Sequence, residues 1–232
     1  MENNMGTSKG YIPPKTIQWS QTKRAVTAYV NHGDNDSREI AASRFGEAMK
    51  HDIESSQNFV KASVNILAFS NAVSRGGLNQ ALRDFGREDL IGKDSETIFN
   101  ELIQGFTNYG STTEDYISAE AISSALKELQ IADIEQLKEV SSEQLLKEIL
   151  IEYIKFSFAF RYEEKIRIKK SPAETEKLLT EMYKYISNKL HEKLNVEDLQ
   201  SIDFRNLKAE ELVKNSLFDA YQVFEMFYEG AE

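Results

Sequence analysis

The chain has 232 residues, 41% of them apolar and 28% charged, which is enough to bury a core and argues against general disorder. Its net charge of −10 argues against direct nucleic-acid binding, and the lack of cysteine excludes a disulfide framework, a thiolate nucleophile and a cysteine-based zinc site. The most apolar run, ILIEYIKFSFAF at 149–160, holds Glu152 and Lys155 and falls short of the roughly 20 residues that a membrane span needs, so it reads as a buried helix. No signal-like apolar stretch follows the start, and a cytoplasmic protein away from the membrane is expected.

Residues 1–19 read as a flexible N-terminal arm, and 20–232 as one compact all-α domain. Ser20 is placed to cap a first helix that Gly33 ends, with Trp19 just ahead of it as an anchor. A second helix begins near Ser37 and carries ASRFGEAM. A third, FVKASVNILAFSNAV, stops at Gly76-Gly77, and the short LNQALRDF stops at Gly86. Asp94 or Ser95 opens SETIFNELIQGF. Ser111 with Glu114 is spaced as a capping box for the next helix, and Ser141 with Gln144 repeats the device before a long helix to about Lys170.

Ser171-Pro172-Ala173-Glu174 is the clearest start signal: a capping hydroxyl, a proline at the first helical position and a glutamate that reaches back. It predicts a 172–194 helix lying antiparallel to its predecessor. The expected contact runs between Tyr153, Phe156 and Phe160 on one side and Leu179, Met182, Ile186 and Leu190 on the other. A last helix from about Leu207 aligns Val213, Leu217, Tyr221, Phe224 and Phe227 or Tyr228 on one face. Strand alternation and hairpin turns are almost absent, and no internal repeat is visible.

Catalytic motifs are lacking. His32, His51 and His191 stand far apart without metal-ligand spacing, and HEKL at 191–194 lacks the second histidine of a zincin. No phosphate-binding glycine loop or nucleophile elbow occurs. The acids Glu163-Glu164 and Glu210-Glu211 are sequence neighbours, which a helix points about 100° apart. A non-catalytic protein without cofactor or metal is expected. The basic run RYEEKIRIKK at 161–170 has two readings: compensation of the helix dipole and of Glu163 and Glu164, or a docking patch for an acidic partner or a nucleic acid.

The arm is unlike the rest. MGTSKG at 5–10 is small and polar, Pro13-Pro14 makes a stiff extended spacer, and residues 5–33 hold Lys9, Lys15, Lys23 and Arg24 but no acid. The Met5-Gly6-Thr7-Ser8 start resembles the N-terminus of QatB proteins, components of the four-gene Qat antiphage defence systems of bacteria. The helix KRAVTAYV, the Arg44-Phe45-Gly46 segment, the long helix and the Ser171-Pro172 turn continue the resemblance in order along the chain. The arm is shorter than in many relatives, and its motif begins at residue 5.

The resemblance implies partners: a QueC-like enzyme (QatC), with the system ATPase (QatA) and a TatD-like nuclease (QatD). It implies that the chemistry belongs to the QueC-like partner, which conjugates a deazaguanine to Gly6 when Met5 is the start and is removed. Gly6 is then the modified residue, and Gly6, Thr7, Ser8, Lys9 and Gly10 form the segment the partner binds. The alternative reading is a helical adaptor or regulator whose N-terminus is merely disordered.

Overall fold

The computed structural model describes residues 14–196, 199, 204 and 207–225. Of these residues 85% are helical and none is in a strand, as the apolar periodicity predicts. The helices are α1 (Ile17–His32), α2 (Asn35–His51), α3 (Gln57–Gly76), α4 (Leu78–Asp84), α5 (Ser95–Phe106), α6 (Thr113–Glu128), α7 (Ser142–Lys169), α8 (Pro172–Lys193) and α9 (Leu207–Glu225), with short 3₁₀ turns between several of them. They gather into two compact units. Unit 1 takes the described residues within 1–52, 154–194 and 219–232, and unit 2 those within 53–153 and 195–218, so that α7 and α9 contribute to both.

Unit 1 begins with the α1–α2 hairpin. Gly33 ends α1 in the left-handed conformation (φ 66°), which glycine adopts without strain, and its N–H donates to Tyr29 O. Asp34 then caps α2 by accepting from the Ser37 amide at 2.7 Å. The centre of the unit is the Phe45 ring. Trp19, Phe158, Tyr162 and Tyr221 surround it edge-on, with centroids 5.4–6.4 Å away. Gly46 lets α9 approach, because a Cβ there would stand 2.8 Å from Tyr221 O. The buried Tyr29 hydroxyl donates to Leu178 O at 2.8 Å and so ties α1 to α8; burial pushes its phenol far above the ordinary tyrosine range.

Unit 2 is built around α3, which buries Phe59, Ile66, Leu67 and Phe69. Phe59 stacks on Tyr153 at 3.7 Å, and the Tyr153 hydroxyl lies 3.1 Å from Ser56 Oγ. Phe69, Phe85 and Phe106 form a second ring cluster. The start of α6 is held by the buried Asp115 carboxylate. It accepts from Asn108 Nδ2, Ser111 Oγ, Thr112 N and Thr112 Oγ1 at 2.8–3.2 Å.

Several boundaries differ from the sequence reading. The cap of α1 is Thr16, whose hydroxyl accepts from the Trp19 amide, so Ser20 is an exposed residue of the first turn and Trp19 lies inside the helix. The α6 capping box is Thr112 with Asp115, one residue later than Ser111 with Glu114. Ser111 already has helical φ/ψ (−65°, −24°) and cannot hold the extended geometry of a cap, which Thr112 adopts. The boxes at Ser141 with Gln144 and Ser171 with Glu174 form as expected.

Glu163 and Arg167 of α7, with Lys170 just after it, line one groove with Pro172, Leu179 and Tyr183 of α8, so the two helices lie side by side and antiparallel. The α8 face is as expected, with Leu179, Met182, Ile186 and Leu190 buried. The α7 face is not. Phe156 and Phe160 are only half-buried, and the core is filled by Ile154, Phe158, Tyr162 and Ile166, a strict i, i+4 row. On α9, Val213, Leu217, Tyr221 and Phe224 are buried; Phe227 and Tyr228 lie outside the described residues.

Candidate functional site

Gly6, Thr7, Ser8, Lys9 and Gly10 lie outside the described residues, so the site is approached from the point where the arm enters unit 1. Pro14 and Lys15 are exposed, and two residues later α1 begins. The first turn is locked by Trp19. Its ring is 3% exposed, its Nε1 donates to Asp52 Oδ2 at 2.6 Å, and it meets Phe45 edge-on. The Arg161 guanidinium of α7 lies over the indole, 5.5 Å from its centroid. The anchor role read for Trp19 therefore holds, although its place is within the helix. Thr22, one turn further, reaches Arg44 O at 2.7 Å and binds α1 to α2. This explains the Arg44-Phe45-Gly46 segment: a carbonyl receives α1, a ring centres the core and a glycine admits α9.

The basic run divides into two sets. Arg167 pairs with Glu163 at 2.5 Å and Lys170 with Glu174 at 3.9 Å, as the dipole-and-neighbour reading requires. Arg161 and Lys165 instead turn towards α1. The Lys165 ammonium lies 5.1 Å from the Tyr162 ring centroid. Desolvation, and then the nearby charge of Lys23, hold its pKa below the usual lysine value. The approach of Lys23 to Lys165 was not legible in the sequence, since 142 positions separate them and no local period relates them.

No group of three or more histidine, aspartate or glutamate side chains is placed to hold a metal among the described residues. His51 Nδ1 lies 2.9 Å from Asp52 Oδ1 and His191 Nδ1 lies 2.9 Å from Ser187 O, both at exposed positions. The groove between α7 and α8 has a volume of about 540 Å³ and carries Arg167 and Glu163 already paired, with no convergent nucleophile and base. No helix among the described residues is long and apolar enough to cross a membrane.

The family model described as "Qat anti-phage system associated protein QatB" matches residues 53–224. The chain belongs to the QatB family. It is thereby a component of the Qat anti-phage system, a role in defence rather than membership of a known enzyme family. The match takes in the Ser171-Pro172 turn and the long helix α7. It begins after α2, so the Met5–Ser8 motif, KRAVTAYV and Arg44-Phe45-Gly46 lie outside it. No curated protein and no solved structure matches the chain.

Proposed function

We propose that this QatB-family chain is a non-catalytic protein substrate, whose N-terminal arm is recognised and modified by the QueC-like enzyme of its system. The observation that carries the reading is the contrast between an acid-free, glycine-led arm and a helical body whose described residues bring no metal-holding group together. The chemistry is an acyl transfer. The partner activates a deazaguanine carboxylate with ATP, forming the acyl-adenylate and releasing pyrophosphate. The neutral α-amine of Gly6 attacks the acyl carbon, an amide forms, AMP leaves, and the amine loses its proton to solvent. An α-amine with a pKa of about 7.7–8.0 is neutral in useful fraction near pH 7. Glycine has no side chain to block a narrow channel and adopts whatever backbone conformation the channel imposes. The step requires that the chain start at Met5 and that Met5 be removed.

Thr7, Ser8, Lys9 and Gly10 serve as the segment that follows Gly6 into the partner, and Pro13-Pro14 as a spacer from the body. The ATPase and the TatD-like nuclease of the system are further partners on this reading, and the complex is cytoplasmic. The test is co-expression with the QueC-like enzyme followed by intact-protein mass spectrometry. A mass equal to the chain from Gly6 plus one amide-linked deazaguanine is expected. An unmodified N-terminus, with full phage protection retained by Gly6→Leu, overturns the reading and leaves the adaptor alternative.

A further inference from the structure

Two stretches that the sequence separates by more than a hundred residues meet on one face of unit 1. One is the acid-free start of the chain, through Trp19 and Lys23. The other is the basic end of α7, through Arg161 and Lys165. Arg161 over Trp19 fixes the alignment of α7 against α1. Lys165 then falls beside Lys23, one helical turn further along both helices.

Among the described residues no carboxylate pairs with Lys15, Lys23 or Arg24. One turn beyond Lys165, on the same face of α7, Ile168 is 78% exposed, and Ile17 at the start of α1 is 73% exposed. Ile168 is thus an open apolar side chain one turn from the Lys165 cation of its own helix. Of the acids in reach, Glu163 is engaged by Arg167, and Glu164 acts on Lys165, where its charge opposes that of Lys23.

We infer that this face, centred on Ile168 with Lys23 and Lys165 beside it, docks an acidic protein surface that offers carboxylates around an apolar contact. Charge complementarity selects the occupant: the patch is positive where most of the chain is negative, and the open isoleucine asks for an apolar partner group rather than for a sugar-phosphate backbone. The arm enters unit 1 at Thr16, at the start of the same helix that carries Lys23. A partner held here therefore meets the arm at a high effective concentration, and a weak grip on five residues suffices for modification. This deepens the proposed function and rests on the reading that the arm is presented to the QueC-like enzyme.

The experiment measures binding of the purified QueC-like enzyme to the full chain by isothermal titration calorimetry, with intact mass as a separate readout. The variants are wild type, Ile168→Asp, Lys23→Glu with Lys165→Glu, and Gly6→Leu. Ile168 is open to solvent, so its variant keeps the fold even if reversal at the half-buried Lys165 disturbs it. The docking surface predicts that Ile168→Asp and the double reversal each weaken binding about tenfold or more, with a loss that shrinks at high salt, while Gly6→Leu binds as wild type and is not modified. Unchanged affinity in both surface variants overturns the docking surface and leaves the arm reading intact if Gly6 is still modified. A wild-type chain that binds through the patch yet is never modified overturns the arm reading alone. Binding of a labelled single-stranded DNA that the double reversal abolishes, with enzyme binding unaffected, overturns the proposal in favour of a nucleic acid.

Discussion

In unit 1 four aromatic rings close around Phe45, and the helices come close enough that Gly46 admits no side chain. In unit 2, which holds the two shortest described α-helices, α4 and α5, the start of α6 is held by polar groups, above all by the four donors gathered on Asp115. One unit is specified by shape, the other in good part by satisfied hydrogen bonds. The difference bears on function. The ring-packed unit carries the arm, the Trp19 anchor and the basic face. A packed aromatic root gives a presented segment a fixed origin, which a partner acting on that segment needs.

The contrast is broken most strongly at Phe158. Its ring is fully buried against Phe45 and Tyr162, so Phe158→Ala should cost about 3–5 kcal/mol, whereas the half-buried Phe160→Ala should cost less than half as much. Denaturant midpoints of the two variants test this. Equal losses would show that α7 presents a different face to the core.

In unit 2, Asp115→Ala strands hydrogen-bond donors of Asn108, Ser111 and Thr112 and removes half of a capping box, for an expected cost of about 2–3 kcal/mol. Burial pushes the Asp115 carboxyl up, but hydrogen bonds from Thr112, Asn108 and Ser111 outweigh it and hold the pKa below the usual aspartate value. A folded pKa below the unfolded value of about 3.9 means that this contribution is present above pH 4 and disappears as pH falls through the lower, folded value. Hydrogen exchange between pH 5 and 2 should therefore show the start of α6 loosening in acid, and a start as protected at pH 2 as at pH 5 would contradict it. Gly46→Ala sharpens the unit 1 side: its Cβ meets a backbone oxygen rather than a flexible side chain, and a loss of about 1–3 kcal/mol is expected in thermal unfolding.

The sequence made the helices legible because their signals are local. Pro172 at the first position with Ser171 and Glu174 around it, and Gly33 after α1, are chemistry that any neighbour-to-neighbour reading finds. Errors arose where two local signals competed. Thr16 and Ser20 both suit a cap, and burial of Trp19 selected the earlier one. Ser111–Glu114 and Thr112–Asp115 overlap by three residues, and backbone geometry decided between them. The face of α7 was misread because phenylalanines 156, 158 and 160 recur every second residue, which leaves a helix free to bury either set. The Lys23–Lys165 approach and the hole above Gly46 are tertiary facts with no local trace. For the site, composition set the arm apart and the resemblance of Met5–Ser8 to QatB N-termini singled out Gly6, while the family match rests on 53–224, beyond it.

The central claim is that the chain is acted upon at Gly6 and does not itself catalyse. It is tested most directly by the intact mass of the full chain after co-expression with the QueC-like enzyme, wild type against Gly6→Leu. The account predicts a chain that starts at Gly6 and carries one amide-linked deazaguanine in the wild type, and an unmodified, fully folded chain in the variant. A wild-type chain with a free N-terminus, together with undiminished phage protection by Gly6→Leu, would contradict it.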